Sequence, residues 1–256
     1  MPARFTAHLR RIAAVLPILA LPAVPSLSGA QSADVIDPTA SEILRTMSGF
    51  LANAPGYLVD VEVLEDEILL TGEMIQYRRS LQIAVRRPDR LRIEEVGDRG
   101  RRRLIYDGRT VTLVDFTSGT YAVTDAPATL DEALDLFIGR YGLVMPGSDF
   151  AYSDPYTALT EDAVQGVYLG VSEAYDTPLH HLAFRQEDLD WQLWLPEKVP
   201  LLPARLLIVS KTDEGYPRMA VEMTNWRLAP YTPDVLFTFS PPDYLLEIEM
   251  LPVSTP

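Results

Sequence analysis

The spacing of apolar positions changes three times along the chain, and each change marks a boundary. Over residues 12–24 they form an almost unbroken run. Over residues 38–54, Ile43, Leu44, Met47, Phe50 and Leu51 recur at three- and four-residue steps. That spacing predicts an amphipathic helix entered around Pro38 and Ser41 and stopped near Pro55-Gly56. Period two then takes over. Ile75, Tyr77, Leu81, Ile83 and Val85 alternate with Gln76, Arg78, Ser80, Gln82 and Arg86, the signature of a long half-buried strand. Pro88-Asp89 ends it, because proline has no N–H for the ladder and aspartate favours a turn. Residues 91–96 begin an antiparallel partner.

Residues 104–106 and 110–114 flank Asp107-Gly108, whose tolerance of positive φ is a strong hairpin signal. Asp107 is therefore a turn residue. A strand around 121–124 leads to Pro127, and Thr129 opens a second helical pattern, with Leu130, Ala133, Leu134, Phe137, Ile138 and Tyr141 on one stripe and Asp131 and Glu132 in its first turn. Residues 142–155, rich in Gly, Pro, Ser and Asp, predict an irregular loop. Strands are expected again over 164–174, 178–185, 190–195, 204–211, 218–227 and 235–239. Roughly a dozen short strands with two main helices predict a mainly β fold with α: one strongly curved antiparallel sheet or open barrel with helices on one face. No fixed-period repeat divides it, so residues 31–256 are expected to form a single domain.

The first apolar run has a different meaning. Arg4, Arg10 and Arg11 precede it with no acidic residue among the first thirty, and Ser28 and Ala30 place small residues at positions minus three and minus one of a cut before Gln31. This is the layout of a secretory leader. The run is shorter than the ~20 residues a membrane span requires and is broken by Pro17 and Pro22, so no permanent membrane anchor is expected. Cleavage leaves 19 of the 22 basic residues against 36 acidic ones, a net charge of −17. Such a surface repels nucleic acid and anionic headgroups. Cysteine is absent, which excludes disulfides, thiolate chemistry and a lipid-modified N-terminal cysteine.

Catalytic material is scarce. Of three histidines only His180 and His181 follow the leader; as neighbours on a strand they point to opposite faces and cannot share a metal. No HExxH, Gly-rich phosphate loop or GxSxG elbow occurs. Carboxylate pairs such as Glu94 with Asp107, or Glu173 with Asp176, offer acid–base hydrolysis in principle, but 36 acids supply such pairs by chance. Asp60, Glu62, Glu65, Asp66 and Glu67 lack calcium-loop spacing and are expected to be a solvated edge. No cofactor and no metal are expected.

Two features point inward. Trp191 and Trp194 have opposite parity, so the sheet carries large apolar groups on both faces and needs helices, loops or a ligand to cover them. Arg79 falls among Ile75, Tyr77, Leu81 and Ile83, where it needs a partner, an opening to water, or a bulge that turns it outward.

The run Val85-Arg86-Arg87-Pro88-Asp89-Arg90-Leu91-Arg92, followed by Tyr106-Asp107-Gly108-Arg109-Thr110-Val111 and Tyr121, resembles the periplasmic lipoprotein-carrier superfamily. With Pro127, Thr129-Leu130, Asp190-Trp191-Gln192-Leu193-Trp194 and Phe239-Ser240-Pro241-Pro242, the chain resembles more narrowly the DUF2092 family of predicted periplasmic proteins. The resemblance implies a half-open barrel of about eleven strands, closed by helices around an apolar cavity. It also implies a soluble periplasmic carrier or sensor, not an enzyme, whose partner is a lipid or lipoprotein acyl chain. The long segment 126–163 departs from the superfamily pattern. The expected cavity lining is Arg79, Leu81, Ile83, Val85, Leu91, Ile93, Leu182, Phe184, Trp191 and Leu193, with Leu134, Phe137, Ile138 and Tyr141 as its lid. An envelope-protein assembly module with a packed interior is the second reading, and a carboxylate hydrolase the third. Expressed in a Gram-negative host, the protein recovered from the periplasm should have the mass of a chain beginning at Gln31; intact-protein mass spectrometry showing Met1 or Pro2 instead would refute the cleavage.

Overall fold

The computed structural model describes residues 36–143 and 145–253; the expected leader and the expected cut after Ala30 lie outside them. Twelve strands make one sheet: β1 (Gly56–Ile68), β2 (Met74–Arg86), β3 (Arg90–Gly97), β4 (Gly100–Tyr106), β5 (Thr110–Asp115), β6 (Thr120–Asp125), β7 (Gln165–Ser172), β8 (Leu179–Arg185), β9 (Leu189–Pro196), β10 (Arg205–Ser210), β11 (Arg218–Leu228) and the two-residue β12 (Leu246–Glu247). Their order is β12-β6-β5-β4-β3-β2-β1-β11-β10-β9-β8-β7. Two antiparallel meanders, β1–β6 and β7–β11, are therefore fused where β1 pairs with β11. Only β12 is parallel, and the sheet does not close.

The acidic strand β1 is thus at the centre of the sheet, not a solvated edge. Val59, Val61 and Val63 face inward and are buried, while Asp60 and Glu62 alternate outward. On that outer face Arg78 meets Glu62 at 2.9 Å; hydrogen bonds from Ser80 and then Arg78 hold the Glu62 carboxyl below its ordinary range.

Helix α1 (Pro38–Asn53) is N-capped by Asp37, whose carboxylate accepts the N–H groups of Thr39 and Ala40 at 2.7 and 3.1 Å. Ile43, Leu44, Met47 and Leu51 are buried in the core. Helix α2 (Leu130–Tyr141) is closed at both ends by its sequence. Thr129 caps it, its Oγ1 accepting the Glu132 N–H and donating to the Glu132 carboxylate, and Gly142, at φ +61°, ends it by donating to the Ile138 carbonyl. The expected loop over 142–155 contains a 3-10 turn (Ser148–Ala151) and leads into the short helix α3 (Pro155–Thr160). Arg87 fixes this segment to the end of β2 by donating to the Ala151 and Tyr152 carbonyls, both at 2.8 Å.

Residues 235–239 are not a strand. Asp234–Phe237 form a 3-10 turn within a belt that leaves β11 and crosses the outer face of the first meander. Arg86 donates to the Thr232 carbonyl and pairs with Asp234, depressing that carboxyl's pKa. Arg92 donates to the Leu236 carbonyl at 2.7 Å, and Phe239 packs on Tyr121 with centroids 5.3 Å apart. The belt ends in β12 on the rim of β6. Proline at 230, 233, 241 and 242 suits a segment that crosses a sheet instead of joining it. Phe237 is 1% exposed beneath the Arg86 guanidinium. Phe237→Ala should therefore lower unfolding stability by about 3–5 kcal/mol, measured by urea denaturation. A loss below ~1 kcal/mol would mean that the belt is not part of the cooperative fold.

Candidate functional site

Register sorts the inner face of β1–β6 into rows of directly opposed side chains. One row is Tyr57, Val85, Leu91, Tyr106, Val111 and Thr124. Its first five members are almost wholly buried in the core that includes α2. The Tyr106 hydroxyl donates to the Pro127 carbonyl at 2.6 Å, and burial, aided by Asp89, pushes its pKa up to about 12. The next row is Val59, Ile83, Ile93, Leu104, Leu113 and Ala122, apolar throughout; the third is Val61, Leu81, Glu95, Arg102, Asp115 and Thr120.

Where α2 ends, the parts of the second and third rows on β3–β6, with Leu81 of β2, are roofed only in part, and a half-open cavity of about 680 Å³ lies on them. Leu81, Ile93, Leu104, Leu113 and Ala122 form its apolar floor. Leu143, Met145 and Pro146 line it from the segment after α2, and Ile248 from beyond β12. Next to Gly142, Val253 donates its N–H to the Arg140 carbonyl, and its side chain lies against the glycine. A second space of about 30 Å³, room for one water, is lined by Ile83, Leu91, Ile93 and Leu134 and shares Met145 and Pro146 with the first.

The polar side of the large cavity alternates in sign. β1 and β2 pair without a bulge across Arg79, so parity sends its guanidinium inward. There it meets Glu65 at 3.2 Å and Glu95 at 4.0 Å, while its Nε is buried with no hydrogen-bond partner among the described residues. Arg102 faces Glu95 across one ladder and Asp115 across the other, with Nε 3.6 Å from the Asp115 carboxylate. Glu65, Arg79, Glu95, Arg102 and Asp115 thus give the order minus, plus, minus, plus, minus. At the rim, Tyr121 donates to Glu247 at 3.1 Å, and desolvation together with that carboxylate raises its pKa.

Of the residues singled out from sequence, Arg79, Leu81 and Ile93 line the large cavity, and Ile83, Leu91 and Leu134 the small one. Val85 and Phe137 line neither: both are fully buried, Phe137 edge-on to Tyr106 at 6.0 Å. Tyr141 is buried against Thr124, whereas Ile138 is 38% exposed and lies off the buried stripe. Leu182, Phe184, Trp191 and Leu193 belong to the other meander, whose inner face is filled. Leu182, Leu193, Leu206 and Val221 form one buried row, and Phe184 stacks on Trp191 at 4.0 Å. Trp194 points outward and is covered by His181, stacked at 4.2 Å, and Arg205 at 5.5 Å, so its cover is its own neighbouring strands.

The histidines, Glu94 and Asp107 are engaged elsewhere, and Glu173 and Asp176 are exposed between β7 and β8. His180 hydrogen-bonds the Tyr168 hydroxyl and His181 the Gln192 amide, both at 2.9 Å. Glu94 is held by Arg92 and Arg103, and Asp107 accepts the N–H groups of Arg109 and Thr110 in its turn. Among the described residues no three His, Cys, Asp or Glu are grouped to hold a metal ion, and no helix is long and apolar enough to cross a membrane. Sequence reasoning misses Glu95, Arg102, Leu104, Leu113, Asp115 and Ala122. The signal is present in the inner parity of three strands, which changes from apolar to charged at Ile93/Glu95, Leu104/Arg102 and Leu113/Asp115.

Known structures share this architecture. An uncharacterized conserved protein of Thermus thermophilus superposes with a TM-score of 0.51 at 9% identity, covering 82% of this chain and 99% of its own. At such identity the likeness is one of fold. Lower similarity is found with the lipoprotein LppX of Mycobacterium tuberculosis (TM-score 0.45, 13% identity, 74% and 96% covered). A LolA superfamily protein of Nitrosomonas europaea follows (0.38, 13%, 78% and 97%). No curated protein matches the sequence. Residues 40–251 match the family described as predicted periplasmic protein (DUF2092), and the chain belongs to that family.

Proposed function

We propose that this protein is an exported periplasmic carrier or sensor that encloses the apolar part of a lipid-like molecule between β2–β6 and the segment following α2. The observation that carries the reading is the large cavity with a continuous apolar floor and charge at one side. Space of this size suits a small amphiphile, and a fold under no demand to bind would fill it, since interiors pack to crystal-like density. The competing reading, an assembly module with a packed interior, expects no such space. Binding, not catalysis, fits a site whose charged groups are set against one another rather than around a reacting bond.

Two substitutions separate a cavity from a core. Ala122 sits in the apolar row on the cavity floor, so Ala122→Trp should occupy free space. It should weaken uptake of the neutral dye N-phenylnaphthylamine at least about tenfold and change stability by less than ~1.5 kcal/mol. Phe137→Ala removes a buried ring that is not part of the lining and should cost about 3–5 kcal/mol with dye affinity retained. Fluorescence titration and chemical denaturation measure both. Dye binding by wild type that Ala122→Trp leaves unchanged, or no dye binding at all, would end the carrier reading in favour of the assembly module.

A further inference from the structure

The charged side of the cavity is ordered, and the order selects among amphiphiles. Glu95, Arg102 and Asp115 lie directly opposite one another on β3, β4 and β5. Opposed positions on neighbouring strands are separated by about 4.8 Å. A guanidinium therefore stands between two carboxylates, one strand spacing from each. Arg79, on the near side of Glu95, is already held by Glu65. The five groups carry three negative and two positive charges, and the Arg102 side chain is 46% exposed, more than either Glu95 or Asp115.

We infer that the cavity takes an amphiphile with a zwitterionic headgroup, its anionic group on Arg102 and its cationic group on Asp115 or Glu95. This rests on the cavity binding an apolar chain. A headgroup with only negative charge would meet Arg102 but face a carboxylate on either side, and the remaining cation, Arg79, is committed to Glu65 and Glu95. A headgroup with only positive charge would satisfy the carboxylates and leave the exposed guanidinium opposed by a like charge. A zwitterion whose charges are separated by a two-carbon bridge, as in a phosphoethanolamine or phosphocholine group, spans about one strand spacing and matches the alternation. These groups are partly solvated, so the selectivity is moderate and shrinks as salt is added.

The test uses soluble diheptanoyl phosphatidylcholine and diheptanoyl phosphatidylglycerol, below their micellar concentrations, as competitors of bound N-phenylnaphthylamine. Their acyl chains are identical and they differ in the headgroup, zwitterionic in the first and anionic in the second. For the wild-type protein at low salt the phosphatidylcholine should displace the dye at about tenfold lower concentration, equivalent to about 1.4 kcal/mol. In Glu95→Gln/Asp115→Asn the flanking carboxylates are gone, and the preference, read as the ratio of the two displacing concentrations so that any change in dye affinity cancels, should vanish or invert. Equal or stronger displacement by phosphatidylglycerol from wild type, or an unchanged preference in the double variant, overturns the headgroup assignment and leaves the cavity reading standing. A wild-type protein that binds no dye removes both. A double variant that binds no dye is replaced by the two single substitutions, each of which should narrow the gap by at least about twofold.

Discussion

The antiparallel register of β1 with its two neighbours is the constraint on which the molecule depends. β1 pairs with β2 over its whole length and with β11 on its other edge. One continuous row of opposed residues therefore runs through both meanders: Leu182, Leu193, Leu206, Val221 and Val63, all 2% exposed or less, and then Arg79. Because strand side chains alternate, a slip of one residue at β1 would carry Asp60 and Glu62 into the core and put three valines in water. The acids of β1 are thus part of what fixes the register, by being intolerable on the wrong face.

The same row explains why the two halves of the sheet differ. Up to Val63 it is apolar and fully buried; from Arg79 onward the rows of the first meander acquire charge at their far ends. Charges of this kind cannot be roofed by apolar side chains without a desolvation cost of several kcal/mol each. Apolar packing therefore extends through Leu81, Ile93 and Leu104 and stops at the charged positions beyond them, and Gly142 turns the chain away at the end of α2. On the outer face the balance is struck differently. Ile105, Thr112 and Val114 are buried on a face that parity alone would give to solvent, and the belt that crosses it is bound largely through arginine donors to backbone carbonyls. Those bonds satisfy carbonyls that a segment outside any ladder would otherwise leave without partners.

Much of this is legible in the sequence, because alternation, helical spacing and turn residues are local signals. The Asp107-Gly108 hairpin, the β2 parity and the extents of α1 and α2 need no tertiary information. The centrality of β1 is not legible: its closely spaced acids read as an edge, and only the pairing of β11 with its far side makes it interior. Nor is the belt, since Val235, Phe237 and Phe239 alternate like a strand and only their neighbours in space show otherwise. Sequence parity predicts the apolar space but draws it too wide. Parity tells which face a residue occupies and not which half of that face is already filled, so Leu193 and Ile93 look equivalent although α1 and the stacked Phe184–Trp191 pair close over the second meander.

That difference bears on why the space exists at all. An apolar cavity in a protein is normally lost by small shifts that restore packing, because each void forfeits dispersion contacts along its walls. Here such a collapse would bring the segment after α2 down across Arg79 and Arg102. Arg79 already has a buried Nε without a partner among the described residues, and further burial would strip water from both guanidiniums while the carboxylates beside them remained only partly engaged. The apolar row favours closure and the charged row opposes it, and the two lie on adjacent positions of the same strands. An amphiphile would relieve both demands together, its chain filling the row that favours contact and its headgroup solvating the row that resists burial. The cavity is in this sense a consequence of register: the pairing that makes the core of one half sets an apolar and a charged row side by side in the other.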